Sequence, residues 1–186
     1  MDSSKKELYN IVDGETFYTV PVTLDGETIP MVASEYLIKD ITGTAVLTGY
    51  LRSDNIKSTL NTEDGKVRKE RLYTYFMCTE MEEVSDEAAI VHKVCVSGRI
   101  TKRTKLSTLK SGKQILPIVV RCKTDDGHTS IIHVVLSNKN ARYVNSLEDI
   151  SNVSINATGF INVRYGTIEV HAEEAEIYRK EGTNNG

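Results

Sequence analysis

Between Gly98 and Lys113 the sequence reads GRITKRTKLSTLKSGK, six cations and no acid, in a chain whose net charge is -3. The six are Arg99, Lys102, Arg103, Lys105, Lys110 and Lys113. From Val91 to Thr124 nine Lys or Arg occur without an Asp or Glu, so the other residues carry 14 cations against 26 acids, a net of -12. Like charges side by side on a strand face repel. A one-signed run is tolerated when it is spread in space or when an anion neutralises it. The chemistry this pattern offers is a polyanion surface, nucleic acid being the commonest polyanion; the plain alternative is a solubilising basic hairpin. The expected phosphate contacts are these six with Arg121. Arg52, Lys57, Lys66, Arg68, Lys69 and Arg71 form a matching set earlier in the chain.

A nucleic-acid surface can also use aromatic faces on which bases stack. In LYTYFMC, Tyr73 and Tyr75 share one face of a strand, and Leu72, Phe76 and Cys78 share the other. The second set suits a core, so both tyrosines are expected to point outward. Tyr50, Phe160 and Tyr165 are second choices, with Phe160 expected in the core; Tyr143 is expected to pack. For any one tyrosine, a half-buried ring with a wet hydroxyl is the ordinary alternative.

Enzymatic chemistry finds little support. Lys110-Ser111-Gly112-Lys113 lacks the glycine that a phosphate loop requires earlier, because Ser107 stands there. His92, His128, His133 and His171 are dispersed, with no Cys or His at ligand spacing, so neither metal nor cofactor is expected. Glu80, Glu82 and Glu83, and Glu173, Glu174 and Glu176, read as solvated strand ends that discourage edge pairing. No nucleophile with a nearby base can be named.

The elements that must carry these groups are mostly strands. Phe17 to Leu24, Thr28 to Val32, Thr44 to Arg52 and Arg71 to Val84 form a first series, with a helix-compatible stretch from Ala33 to Asp40 and a polar, turn-rich excursion to Lys66. Ile90 to Leu109 (bent at Gly98), Ile115 to Lys123, Ser130 to Ser137, Asn152 to Arg164 and Thr167 to Arg179 form a second, with a short helix at Asn140 to Leu147. β-Branched runs spaced by turn signals predict an all-β chain of barrel or sandwich type. Thr48-Gly49-Tyr50 and Thr158-Gly159-Phe160 close similar helix–turn–strand segments, an internal repeat that predicts two domains. Their expected bounds are 1–84 and 90–180, joined by a linker at 85–89 and followed by a tail at 181–186. The second series has the element order of an OB-fold, a five-stranded barrel with a helix between strands three and four. Only about fifteen residues precede Phe17, so the first barrel is expected to have a short, missing or replaced first strand.

No run of about eighteen apolar residues and no apolar leader occurs, so neither a membrane span nor secretion is expected. Cys78, Cys95 and Cys122 cannot all pair and read as free thiols of a reducing, cytoplasmic compartment.

The ordered stretches VHKVCVSGRITKRTKL, SGKQILPIVV, TSIIHVVLSNKNARYVNSL, ASEYLIKDITGTAVLTGYLRS and DGKVRKERLYTYFMCTEMEEV make the chain resemble bacterial and phage single-stranded DNA-binding proteins, in a tandem two-barrel form. The resemblance spans most of Phe17 to Arg179. It implies two OB-fold barrels that bind single-stranded DNA without sequence preference in replication, recombination and repair, inside a bacterial or phage-infected cell. It also implies a homo-oligomer, a dimer presenting four barrels. Three departures stand out: there is no Trp, so Tyr or Phe must replace the family's stacking indoles; the acidic tail ending in Pro-Phe that docks partners is lacking; and most members carry one barrel per chain. Alternatives are an OB-fold interaction module of a replication complex and single-stranded RNA binding.

Overall fold

The computed structural model describes residues 5–38, 43–62, 65–85, 92–124, 127–164 and 167–179, with the backbone alone for 58–62 and 65–69. The chain divides into two compact units, Met1–Val91 and His92–Gly186. Both are built almost wholly of strands. Among the described residues no helix is long and apolar enough to cross a membrane.

The second unit is a closed barrel. Its strands are β6 (Val94–Arg103), β7 (Ser107–Thr108), β8 (Gln114–Lys123), β9 (Thr129–Ser137), β10 (Val153–Arg164) and β11 (Thr167–Arg179), with helix α2 (Asn138–Ser146) between β9 and β10. The sheet runs β6-β10-β11-β9-β8-β7, and a further β6–β8 ladder closes five of these strands on themselves. The β9–β11 pairing is parallel and the others are antiparallel. Alternation sends Leu116, Ile118 and Val120 inward from β8 and Ile132, Val134 and Leu136 inward from β9, all buried. Ala141 and Val144 of α2 are buried as well. This is the OB-fold expected of the second series.

The first unit keeps the same order but not the closure. Its elements are β1 (Glu7–Val12), β2 (Glu15–Leu24), β3 (Glu27–Ser34), α1 (Glu35–Ile38), β4 (Ala45–Thr62) and β5 (Gly65–Glu83). They form a curled five-stranded sheet, β1-β2-β3-β5-β4, again with a parallel pairing of the third and fifth strands. Among the described residues no ladder joins β1 to β4, so this is an OB-type half-barrel. The first strand is present and short. Asp13 and Gly14 turn it into β2 with φ of 50° and 83°, the geometry an Asp-Gly hairpin favours. The excursion after Arg52 is not a loop: β4 and β5 pair along their whole length, from Ala45↔Glu83 to Thr62↔Gly65.

Met31, Val32, Ala33 and Ser34 are all buried, so β3 is covered on both faces. Met31 and Ala33 pack with Val20, Ile38 and Cys78 in one core cluster.

The internal repeat has a shared physical cause. Gly49 and Gly159 each stand at a register shift, and a Cβ at either would overlap a backbone carbonyl oxygen of the neighbouring strand, Met77 O and His171 O respectively. Only glycine lets the backbones approach so closely.

Burial pushes the thiols of Cys78 and Cys122 up to about 11, whereas Cys95 is exposed. At pH 8 a disulfide reagent is therefore expected to titrate one thiol rapidly in the native protein, Cys95, and the other two only after denaturation.

Candidate nucleic-acid interface

The basic run maps onto one hairpin edge of the closed barrel. β6 and β8 place Ile100 opposite Val120, both buried, so the preceding pair points outward. That pair is Arg99 and Arg121, directly opposite each other and both exposed. A register shift between Ile100 and Lys102 lets Lys102 also stand exposed. Lys105, Lys110 and Lys113 are exposed around the short β7–β8 ladder. Among the described residues none of these six forms an ion pair, and two arginines stand opposite each other across the ladder with no carboxylate paired to either.

Arg103 differs from its neighbours. Its Nη1 donates to the carbonyl oxygen of Val144 in the last turn of α2, where a cation also meets the negative end of the helix. It ties β6 to the helix instead of facing solvent alone. Arg142 Nη1 donates to Gln114 Oε1 at 3.0 Å and fixes α2 to β8 in the same way.

In the first unit, Arg52, Lys57 and Arg71 lie on the β4–β5 hairpin. Lys57 pairs with Glu70 at 3.4 Å, both well exposed, so part of this set is already neutralised. Arg71 is exposed. The side chains of Lys66, Arg68 and Lys69 lie outside the described residues, as does all of Tyr165.

The tyrosine expectation needs correction at Tyr75. It does lie on the face opposite Phe76 and Cys78, across from Arg52, with Tyr73 across from Asp54. That face is not open, however, and Tyr75 is fully buried. Tyr9 of β1 lies over it, ring centroids 5.6 Å apart, and the two hydroxyls are 2.7 Å apart. Tyr75 donates to Asp54 Oδ2 at 2.8 Å, and the Tyr9 hydroxyl, 3.1 Å from the same oxygen, donates its single proton either to that oxygen or to the Tyr75 hydroxyl. Side chains therefore do between β1 and β4 what a backbone ladder does in the closed barrel. Tyr73 stacks obliquely beside Tyr75 at 5.7 Å and remains half-buried.

Burial, then the hydrogen bonds to Tyr9 and Asp54, push the Tyr75 hydroxyl far above the ordinary tyrosine value; burial raises Tyr9 and Tyr73 as well. A folded pKa above the unfolded one makes a stability contribution that is complete below about pH 10 and is lost as pH rises beyond it. Tyr75→Phe is expected to cost about 1–2 kcal/mol at pH 7 and to flatten this alkaline loss, read from urea midpoints at pH 7 and pH 10.5.

Phe160 also departs from expectation. It is 36% exposed and not in the core. His171 lies directly opposite it on β11, ring centroids 5.5 Å apart, and His92 meets it edge-on at 6.1 Å. His92 Nδ1 accepts the Ile161 N–H at 3.3 Å, just beyond the point where β6 stops pairing with β10. Tyr143 is likewise exposed on α2 rather than packed. Tyr50 is the positional equivalent of Phe160 in the repeat and lies opposite Met77. Tyr50 and Arg52 line an open cleft of about 610 Å³ in the first unit, together with Tyr9, Phe17 and Tyr36. Those last three were not read from the sequence; the Asp13-Gly14 turn between two β-type runs was the signal that could have placed Tyr9 and Phe17. Among the described residues no group of three or more His, Cys, Asp or Glu is placed to hold a metal ion.

No protein-family model matches the chain, and no curated protein matches it in sequence. Two solved structures share its fold over nearly the whole length. The wild-type single-stranded DNA-binding protein of Thermus aquaticus superposes with a TM-score of 0.65 at 10% identity, covering 98% of this chain and 91% of that one. A deletion mutant of the same protein gives 0.66 at 10% identity, covering 98% and 92%. The likeness is one of fold, carried by both units in sequence.

Proposed function

We propose that this chain binds single-stranded DNA with little sequence preference and performs no catalysis. The observation that carries the reading is the Arg99–Arg121 pair, two exposed cations held side by side on a closed barrel, continued by Lys102, Lys105, Lys110 and Lys113. A phosphate backbone running along this edge relieves the repulsion and releases counterions. Bases stack on an exposed aromatic ring such as Phe160, and the acidic remainder disfavours duplex, whose charge density is higher. The fold shared with the Thermus aquaticus protein supports this reading, since that protein is named for single-stranded DNA binding.

On this reading the chain protects single strands during replication, recombination or repair, in the cytoplasm of a bacterial or phage-infected cell. A dimer would present four barrels to one strand.

The test is fluorescence anisotropy with a labelled dT oligomer of about 30 nucleotides, challenged with unlabelled duplex and with RNA of the same length. Binding that duplex fails to displace supports the proposal, and displacement by RNA at equal concentration would redirect it to RNA. Absence of binding at low salt would remove it.

A further inference from the structure

The cleft of the first unit does not belong to the basic hairpin. It exists because the β1–β2 hairpin and α1 stand over the strand face that the second unit leaves open. In the second unit that face exposes Phe160 beside His171. In the first unit the equivalent pair, Tyr50 and Met77, forms part of the wall of the open cleft of about 610 Å³. That volume is in the range of pockets for nucleotide-sized ligands.

We propose that this cleft takes a single unstacked nucleobase of the bound strand. The inference rests on the single-strand reading and names a second mode of contact within it. Aromatic rings approach from several elements: Phe17 from β2, Tyr36 from α1 and Tyr50 from β4. Tyr36 is 79% exposed, and a base entering the cleft would cover its ring. Polar groups share the wall: Asn10, Glu15 and Ser34 offer an amide, a carboxylate and a hydroxyl, and Arg52 adds a guanidinium.

This mixture decides between occupants. An aliphatic side chain of a protein partner would fill the space but take water from the Glu15 carboxylate with nothing to replace it. A nucleobase presents a flat π-face to the rings and donors and acceptors at its edge to the polar groups. Arg52 stands on the strand that continues into the β4–β5 hairpin, so the backbone of such a nucleotide leaves the cleft beside a cation.

The experiment uses the full chain and dT30 carrying 5-iodo-deoxyuridine at one interior position, irradiated and mapped by peptide mass spectrometry, with anisotropy of unmodified dT30 in parallel. Expected are cross-links at Phe17, Tyr36 or Tyr50, and a roughly 10-fold loss of affinity in Tyr36→Ala, the scale of one stacked base. Because Tyr36 is exposed, that substitution leaves the fold intact. If dT30 binds but every cross-link falls in the second unit and Tyr36→Ala binds as the parent does, this inference is overturned while the single-strand reading stands. If dT30 does not bind at all, both fall together.

Discussion

Replacing Arg99, Lys102 and Lys105 together with glutamate is expected to weaken dT30 binding by at least about 100-fold at 0.1 M salt. Each cation that neutralises a phosphate contributes a slope of about -0.7 in log affinity against log salt. Three contacts therefore account for about two log units at that concentration, before any repulsion from the new carboxylates. The loss should be equal for oligo-dT, oligo-dC and mixed sequences, because phosphate contacts carry no sequence information. Arg103 is left in place because its guanidinium holds the Val144 carbonyl of α2. Changing it would confuse lost folding energy with lost contact. Unchanged circular dichroism and an unchanged melting temperature in the triple variant would show that the effect is on binding. Unchanged affinity would instead show that the hairpin edge is not the phosphate track.

The largest expected effect on stability comes from one methyl group. Gly159→Ala puts a Cβ onto the His171 carbonyl oxygen, a backbone atom that cannot rotate away. Relief requires β10 and β11 to separate where their register shifts, between Thr158 and Gly159. We expect a loss of about 4 kcal/mol or more, in the range reached only by severe steric or buried-polar defects. For a domain of this size each kcal/mol lowers the melting temperature by about 4–8 °C, so differential scanning calorimetry should show a fall of more than about 15 °C for the second unit. Gly49→Ala should do the same to the first unit through Met77 O. Glu176→Ala, exposed on the neighbouring strand β11, should stay within about 0.5 kcal/mol and serves as the control. An alanine at 159 that melts with the parent would mean that the two strands do not approach as closely as described.

The strand content, the repeat and the basic edge were legible because each depends on local pattern. Alternating apolar residues set the phase of β8 and β9, and a run without acids survives any register. Three features were not legible, each for a reason outside local pattern. The phase of Tyr75 relative to Phe76 and Cys78 was read correctly, but phase does not say whether the second face is covered. Tyr9, sixty-six positions away, covers it. Phe160 was assigned inward on residue type, yet the close approach at Gly159 fixes the direction of the residue that follows, and it emerges beside His171. The β4–β5 ribbon beyond Arg52 lacks apolar alternation, so its sequence reads as loop. Its backbone ladder runs on regardless, from Asn55↔Leu72 to Thr62↔Gly65.

The two units answer the same requirement by different means. The second closes its barrel with a β6–β8 ladder and leaves Phe160 open. The first spans the gap between β1 and β4 with the Tyr9–Tyr75–Asp54 hydrogen bonds.

The central claim is that phosphate neutralisation by the β6–β8 edge drives binding, and the salt dependence of dT30 affinity tests it most directly. The affinity of the full chain would be measured at a series of salt concentrations between 50 and 200 mM and plotted as log affinity against log salt. The account predicts a straight line with a slope of about -4, from six phosphate contacts at about -0.7 each, reduced to about -2 in the Arg99, Lys102 and Lys105 triple variant. A slope near zero, or one that the triple variant leaves unchanged, would contradict it.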